Sequence, residues 1–212
     1  MTTPCFDAAF CAKLDELIAW RRDVRRFRRD PVPRATVKEM LRLAQMSPSV
    51  GNSQPWRWVE IASAAKRDAV RRNFAECNAD ALAAQEPTRA SAYAKLKLEG
   101  LDAAPVQFAV FCDHATGQGR GLGSRTMPEA LDYSVAAMIT VLWLAARARG
   151  LGLGWVSILD PTRLLADLGA PGSYKLIAYL CLGWPEEEHE IPELERSGWQ
   201  ERTALGQYIL HV

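Results

Sequence analysis

The run Val135-Ala136-Ala137-Met138-Ile139-Thr140-Val141-Leu142-Trp143-Leu144-Ala145-Ala146 limits how this chain can fold more than any other segment. It is apolar on most faces, so a helix made from it needs apolar partners on more than one side. Pro128 and Glu129 suit the start of that helix and Gly150 its C-terminal cap, which predicts a helix from there through Arg149. A bilayer crossing takes about 20 apolar residues, and Arg147 and Arg149 end this run sooner. The segment therefore reads as a central buried helix, with no membrane as partner. At 212 residues and 49% hydrophobic composition the chain can bury one large core, so a single domain over 1–212 is expected.

Val106 to Cys112 is a nearly continuous apolar run between Pro105 and Asp113, the pattern of a strand covered on both faces. Trp58 to Ile61, Leu153 to Leu159 and Lys175 to Leu182 are further strand candidates. Helical spacing of Phe10, Leu14, Leu17 and Ile18 predicts a helix over Asp7 to Trp20, and a second starts near Pro33 and ends before Pro48. Ala64 to Leu98 reads as helices broken near Pro87. The fold class is α+β, a central mixed or antiparallel sheet flanked by helices. Gly117 to Gly123 is the candidate mobile loop, and the acidic stretch Pro185 to Pro192 reads as a surface connection to the last segment, Gly198 to Val212.

Charge narrows the function classes. Lys+Arg 26 against Asp+Glu 25 leaves +1, so no global field points to nucleic acid or to an anionic membrane. The cations are clustered instead, with seven arginines between Arg21 and Arg34. Cys5, Cys11, Cys77, Cys112 and Cys181 are odd in number and form no CxxC pair, as in a reducing compartment. Asp7, Lys13, Asp15 and Glu16 interrupt the N-terminal apolar stretch, unlike a signal peptide, and a cytoplasmic location is expected. His114, His189 and His211 have no metal-ligand spacing, so no metal site is expected. No GxSxG elbow supports a serine nucleophile. Gly150-Leu-Gly-Leu-Gly154 runs from helix into strand, the reverse of a dinucleotide fingerprint.

The chemistry concentrates in two segments one helix-length apart. Arg21-Arg22-Asp23-Val24-Arg25 gathers guanidinium forks that match phosphate oxygens, and Ser49-Val50-Gly51-Asn52-Ser53-Gln54 offers hydroxyls and amides able to read a heterocycle. Asp23 is the odd member, since a carboxylate facing a phosphate would repel it. It is either an acid or base, or half of an ion pair with Arg22 or Arg26. Ser157 is either a positioned hydroxyl or one satisfied by backbone, and Trp56 is either a ligand wall or core.

At RRDVRRFRRDPVP (21–33), SPSVGNSQPWRW (47–58), YAKLKLEGLDAAPV (93–106), LGSRTMPEALDYS (122–134), LWLAARARGLGLGWVSILDP (142–161) and AYLCLGWPEEEHEIPELERSGWQERTAL (178–205) the chain resembles the nitroreductase-fold flavoproteins. Within that group it resembles the 5,6-dimethylbenzimidazole synthases, which make the lower ligand of cobalamin. The resemblance implies reduced FMN as both cofactor and substrate. Dioxygen is the co-reactant, and the flavin is fragmented to 5,6-dimethylbenzimidazole with loss of erythrose 4-phosphate. It implies catalytic roles for Asp23 and Ser157, and phosphate binding by Arg21, Arg22 and Arg25 with Val24 between them. Ser49, Asn52, Ser53 and Gln54 are implied to line the cofactor, and Lys97, Leu153, Gly154 and Arg202 to contact it. It further implies a homodimer with flavin at the subunit interface. Because the sequence carries no dedicated NAD(P)H motif, a separate NAD(P)H-dependent flavin reductase is expected to supply reduced FMN.

Asn52 and Ser53 also fit general nitroreductases, so an NAD(P)H-dependent FMN reductase is the alternative on the same fold. A flavin-binding protein without chemistry is the alternative from another class.

Overall fold

Four strands build one antiparallel sheet in a computed structural model that describes residues 3–209. They are β1 (Trp56–Glu60), β2 (Val106–Asp113), β3 (Gly152–Val156) and β4 (Tyr174–Gly183), in spatial order β1-β2-β4-β3. Of the two sheet types expected, the antiparallel one forms. The helices are α1 (Ala8–Trp20), α2 (Arg34–Ala44), α3 (Ala64–Ala83), α4 (Pro87–Tyr93), α5 (Ala130–Arg147), α6 (Pro161–Leu168) and α7 (Glu193–Arg196). His211 lies outside the described residues.

The apolar run of β2 has the cause the sequence suggests, because both sheet faces are covered. Phe108, Val110 and Cys112 face the core under α5 and α2, while Ala109 and Phe111 face a second core with α3 and α6. Strand alternation divides β4 likewise, sending Ala178, Leu180 and Leu182 to the first core and Tyr179 and Cys181 to the second. Gln107, buried on β2, donates from Nε2 to the Leu101 carbonyl at 2.8 Å and accepts the Tyr179 hydroxyl at 2.7 Å, so its burial leaves no polar deficit.

Helix α5 lays Leu131, Val135, Met138, Ile139, Leu142, Ala145 and Ala146 on the sheet, a stripe in which each large side chain removed from water stabilises by about 1.5–3 kcal/mol. By length and composition it is apolar enough to cross a membrane, yet this stripe is core. Its other face is not covered by the described residues: Tyr133 is 60% exposed, and Ala137 and Thr140 are exposed. Helix α1 packs on α5 and buries none of its own residues, leaving Phe10, Leu14 and Ile18 open.

Three local expectations change. The strand expected to reach Leu159 stops at Val156, and α6 follows, a helix the sequence reading did not contain. Asp160 caps it by accepting from the Thr162 and Arg163 N–H groups, Pro161 opens it, and Gly169 closes it at φ +71°. The helices expected over 64–98 break before Pro87 but end at Tyr93. The acidic connection from Pro185 is held down on the arginine segment, through a Phe27–Pro185 bridge and a Glu186 N–H bond to the Arg26 carbonyl.

Candidate active site

After Trp20 the chain leaves α1 in extended geometry and lies along the free edge of β3. Asp23 forms a parallel bridge with Leu153, the Val24 N–H donates to the Leu153 carbonyl at 3.1 Å, and the Trp155 N–H donates to Asp23 Oδ1 at 2.8 Å. Residues 21–25 are thus a short extra strand, and the glycines of β3 make room for it. A β-carbon on Gly152 would stand 2.7 Å from the Val24 side chain, and one on Gly154 would stand 2.1 Å from the Val24 carbonyl oxygen.

This docking fixes Asp23. Its second oxygen, Oδ2, accepts from Arg25 Nε at 3.0 Å, so the ion-pair partner is Arg25, not the expected Arg22 or Arg26. Arg26 instead pairs with Glu187 and Glu193. Burial raises the Asp23 carboxyl above the ordinary aspartate value, and the Arg25 charge, the Trp155 N–H and Arg21 only partly offset that.

The arginines divide into two kinds. Arg25 gives Nη1 to the Lys97 carbonyl at 2.9 Å, and Arg22 gives its fork to the carbonyls of Ala19, Arg21 and Glu190, the last at 2.7 Å from Nε. Both are already engaged by the fold. Arg21 has no oxygen acceptor among the described residues, and its guanidinium lies 4.8 Å from the centroid of the Trp143 ring. A cleft of about 240 Å³ is lined by Arg21, Arg22, Asp23, Arg25, Arg202 and Glu193, the last of which pairs with Arg26. Burial above all, and then the charge of Arg202, lower the pKa of both Arg21 and Arg22, although Asp23 opposes this at Arg21 and Glu190 and Glu195 oppose it at Arg22. An anion such as a phosphate monoester would relieve that repulsion.

The remaining expected residues take distinct places. Leu153 is fully buried and Gly154 is closed off by Val24, so both serve through backbone. Lys97 pairs with Glu99 at 2.6 Å. Ser157 is exposed just beyond β3, two residues past Trp155 and therefore about 6.7 Å further along the chain. Its hydroxyl bonds no described group.

The loop of Ser49, Asn52, Ser53 and Gln54 is a tight, left-handed structure: Gly51, Asn52 and Gln54 have φ of +56°, +53° and +43°. The Ser49 hydroxyl accepts the Gln54 N–H at 3.0 Å, and the Ser134 hydroxyl of α5 accepts the Val50 N–H at 3.0 Å. The glycine loop expected to be mobile lies directly on it, with Gln118 Nε2 donating to the Asn52 carbonyl at 2.9 Å. Ser53 beneath is buried, and its hydroxyl has no partner among the described residues. Trp56 takes the core role of its two readings.

The fold does not bring the two segments together within one chain. Residues 49–54 lead into β1 at one edge of the sheet, and residues 21–25 lie outside β3 at the other, so about four strand spacings, roughly 19 Å, separate them laterally. Helix α5 gives a second ruler. It touches the loop at Ser134 and the arginine segment at Trp143, whose indole N–H donates to the Arg22 carbonyl at 2.9 Å, and those positions are about 13.5 Å apart along the axis.

Sequence reading did not find Trp143, Trp155 or the docking role of the glycines. The signal was present in Gly152-Leu-Gly-Trp155, since alternate glycines in a strand mark a close backbone approach. Elsewhere, Cys112, His114 and Asp132 bring donor atoms within 4.8 Å of one another, but Asp132 is already paired with Lys175 at 2.6 Å and lies 2.7 Å from His114 Nε2.

Residues 18–184 match the model of the nitroreductase family. The chain is 58% identical over 201 residues to a 5,6-dimethylbenzimidazole synthase of Rhodospirillum rubrum, covering 95% of each protein. It is 47% identical over 188 residues to one of Rhodobacter capsulatus, covering 89% of this chain and 91% of that protein. The fold matches the crystal structure of oxidized iodotyrosine deiodinase bound to FMN and 3-iodo-L-tyrosine with a TM-score of 0.71 at 22% identity, over 83% of this chain and 91% of that one.

Proposed function

The chain belongs to the nitroreductase family, and from that premise we propose that it is a 5,6-dimethylbenzimidazole synthase acting on reduced FMN and dioxygen. The observation that carries the reading is a carboxyl, Asp23, held by the Trp155 N–H and Arg25 inside an arginine-lined cleft. A cleft that only had to hold a phosphate would be weakened by that acid.

The residues present fit the flavin. Arg21 and Arg202 form no ion pair among the described residues and suit its phosphate, and the loop at 49–54 offers amides and hydroxyls to its ring. Bound reduced FMN would supply the electrons for dioxygen and the carbon skeleton from which 5,6-dimethylbenzimidazole and erythrose 4-phosphate are released, the rest of its pyrimidine ring leaving as a further fragment. Asp23 performs the proton work. Trp155 and Arg25 hold one oxygen each, so a proton taken or given at the carboxyl moves at a fixed place. Ser157, with an unengaged hydroxyl on the same edge, orients a reacting oxygen.

The site is shared between two copies in this reading. The 240 Å³ cleft is below the usual range of about 300–1,000 Å³ for a ligand site, and the ring-reading loop is at the far edge of the sheet. A two-fold partner would bring its own loop to the cleft and cover the open faces of α1 and α5. A separate NAD(P)H-dependent flavin reductase supplies the reduced flavin, and the location is cytoplasmic.

Single turnover tests the function. Reduced FMN is bound anaerobically in equal amount, air is admitted, and the small molecules are separated with mass detection. The expected result is 5,6-dimethylbenzimidazole with matching loss of flavin. Quantitative return of oxidised FMN would overturn the proposal and leave a reductase or a flavin-binding protein, which NADH consumption separates.

A further inference from the structure

We infer that Trp143 is a positioning residue that holds the phosphate arm of this site in its binding form, an inference that rests on the flavin reading above. Three contacts converge on it from α5. Its indole N–H donates to the Arg22 carbonyl at 2.9 Å, its ring face carries the Arg21 guanidinium at 4.8 Å, and its ring leans on Trp155 at 6.4 Å between centroids. Trp155 in turn gives the N–H that fixes Asp23. One side chain therefore touches the backbone of the arm, the guanidinium that lacks an anion, and the residue that anchors the carboxyl.

The physical reason for a tryptophan is the pairing of functions. Arg21 has no carboxylate to hold it, and a carboxylate there would compete for the guanidinium that the phosphate needs. An aromatic face restrains the cation while leaving its N–H edge free for an anion. The indole N–H satisfies the Arg22 carbonyl in the same motion, so the chain direction and the guanidinium are set together. A leucine would fill the space and do neither.

A double-mutant cycle on FMN binding by the full chain tests this, using Arg21→Ala, Trp143→Leu and their combination. Arg21→Ala is expected to weaken FMN binding about tenfold and Trp143→Leu by a similar factor. The double variant should be weaker by clearly less than a hundredfold, because a large part of what Trp143 does runs through Arg21. Multiplying effects would overturn the inference and make Trp143 a general packing residue. An Arg21→Ala variant with unchanged affinity would instead remove the phosphate reading on which the inference rests. Trp143→Phe keeps a ring face and loses the donor, so it should fall between parent and leucine variant; it carries the same cycle if the leucine variant does not fold.

Discussion

Val24 sits on Gly154 so closely that a β-carbon on the glycine would stand 2.1 Å from the Val24 carbonyl oxygen. That contact sets the position of Asp23, because the same stretch of β3 gives the Trp155 N–H to its carboxylate. Gly154→Ala should therefore lift residues 21–25 from the edge, cost about 1–3 kcal/mol of stability and weaken FMN binding at least about tenfold. Thermal melts and flavin titration measure both. Gly172→Ala, where nothing lies within 4 Å, is the control and should change neither.

Asp23→Asn should keep FMN bound within a few-fold while lowering product formation by about 10²–10⁴, the usual weight of a general acid or base. Chromatography of the single-turnover mixture reads it. A normal product yield would leave Asp23 as an ion-pair partner of Arg25 alone.

The raised pKa of Asp23 has a consequence for stability against pH. Its folded value lies above its unfolded one, so the stability this group contributes is complete below the unfolded value and is lost as pH rises through the folded one. The asparagine variant does not titrate there. Its melting temperature relative to the parent protein should therefore climb as pH rises above about 4, and a flat or falling difference would contradict a raised carboxyl at Asp23.

Arg202 lines the same cleft as Arg21 and Arg22, and its charge opposes theirs. Arg202→Ala should raise the melting temperature of the flavin-free protein slightly, because repulsion is relieved, and weaken FMN binding about tenfold. Opposite signs in the two measurements are the signature. Loss of both would mean that Arg202 holds the C-terminal segment in place.

If two chains share each site, an arm-defective and a loop-defective variant should rescue one another. Arg21→Glu removes the arm, and Gly51→Val breaks the loop at a left-handed residue where a β-carbon would stand 2.7 Å from the Leu122 carbonyl oxygen. Unfolded and refolded together in equal amounts, half the dimers are mixed and each has one intact site, so about a quarter of the sites should bind FMN. No recovery on mixing would place the whole site in one chain.

Much of this was legible in residue order because it depends on local pattern. The stripe of α5, the continuous apolar run of β2 and the break before Pro87 follow from periodicity and proline chemistry, which neighbouring residues decide. The α6 helix was equally legible in Asp160-Pro161 and Gly169, and it was missed because an apolar run was extended through a serine that ends the strand. Arg21, Asp23, Arg25 and the loop at 49–54 could be picked out as chemistry from residue type alone.

Which partner each of those groups takes was decided by the tertiary structure. The sequence places five arginines within five residues of Asp23, and nothing local selects Arg25 as its ion-pair partner, gives Arg22 to three carbonyls or leaves Arg21 over Trp143. Those choices follow from where the arm lies on β3, which depends on two glycines about 130 residues away in the chain. The separation of the arm from the loop is of the same kind. Strand order, not sequence distance, puts them on opposite edges of the sheet, because pairing between distant strands is settled by burying both faces of β2 and β4 at once.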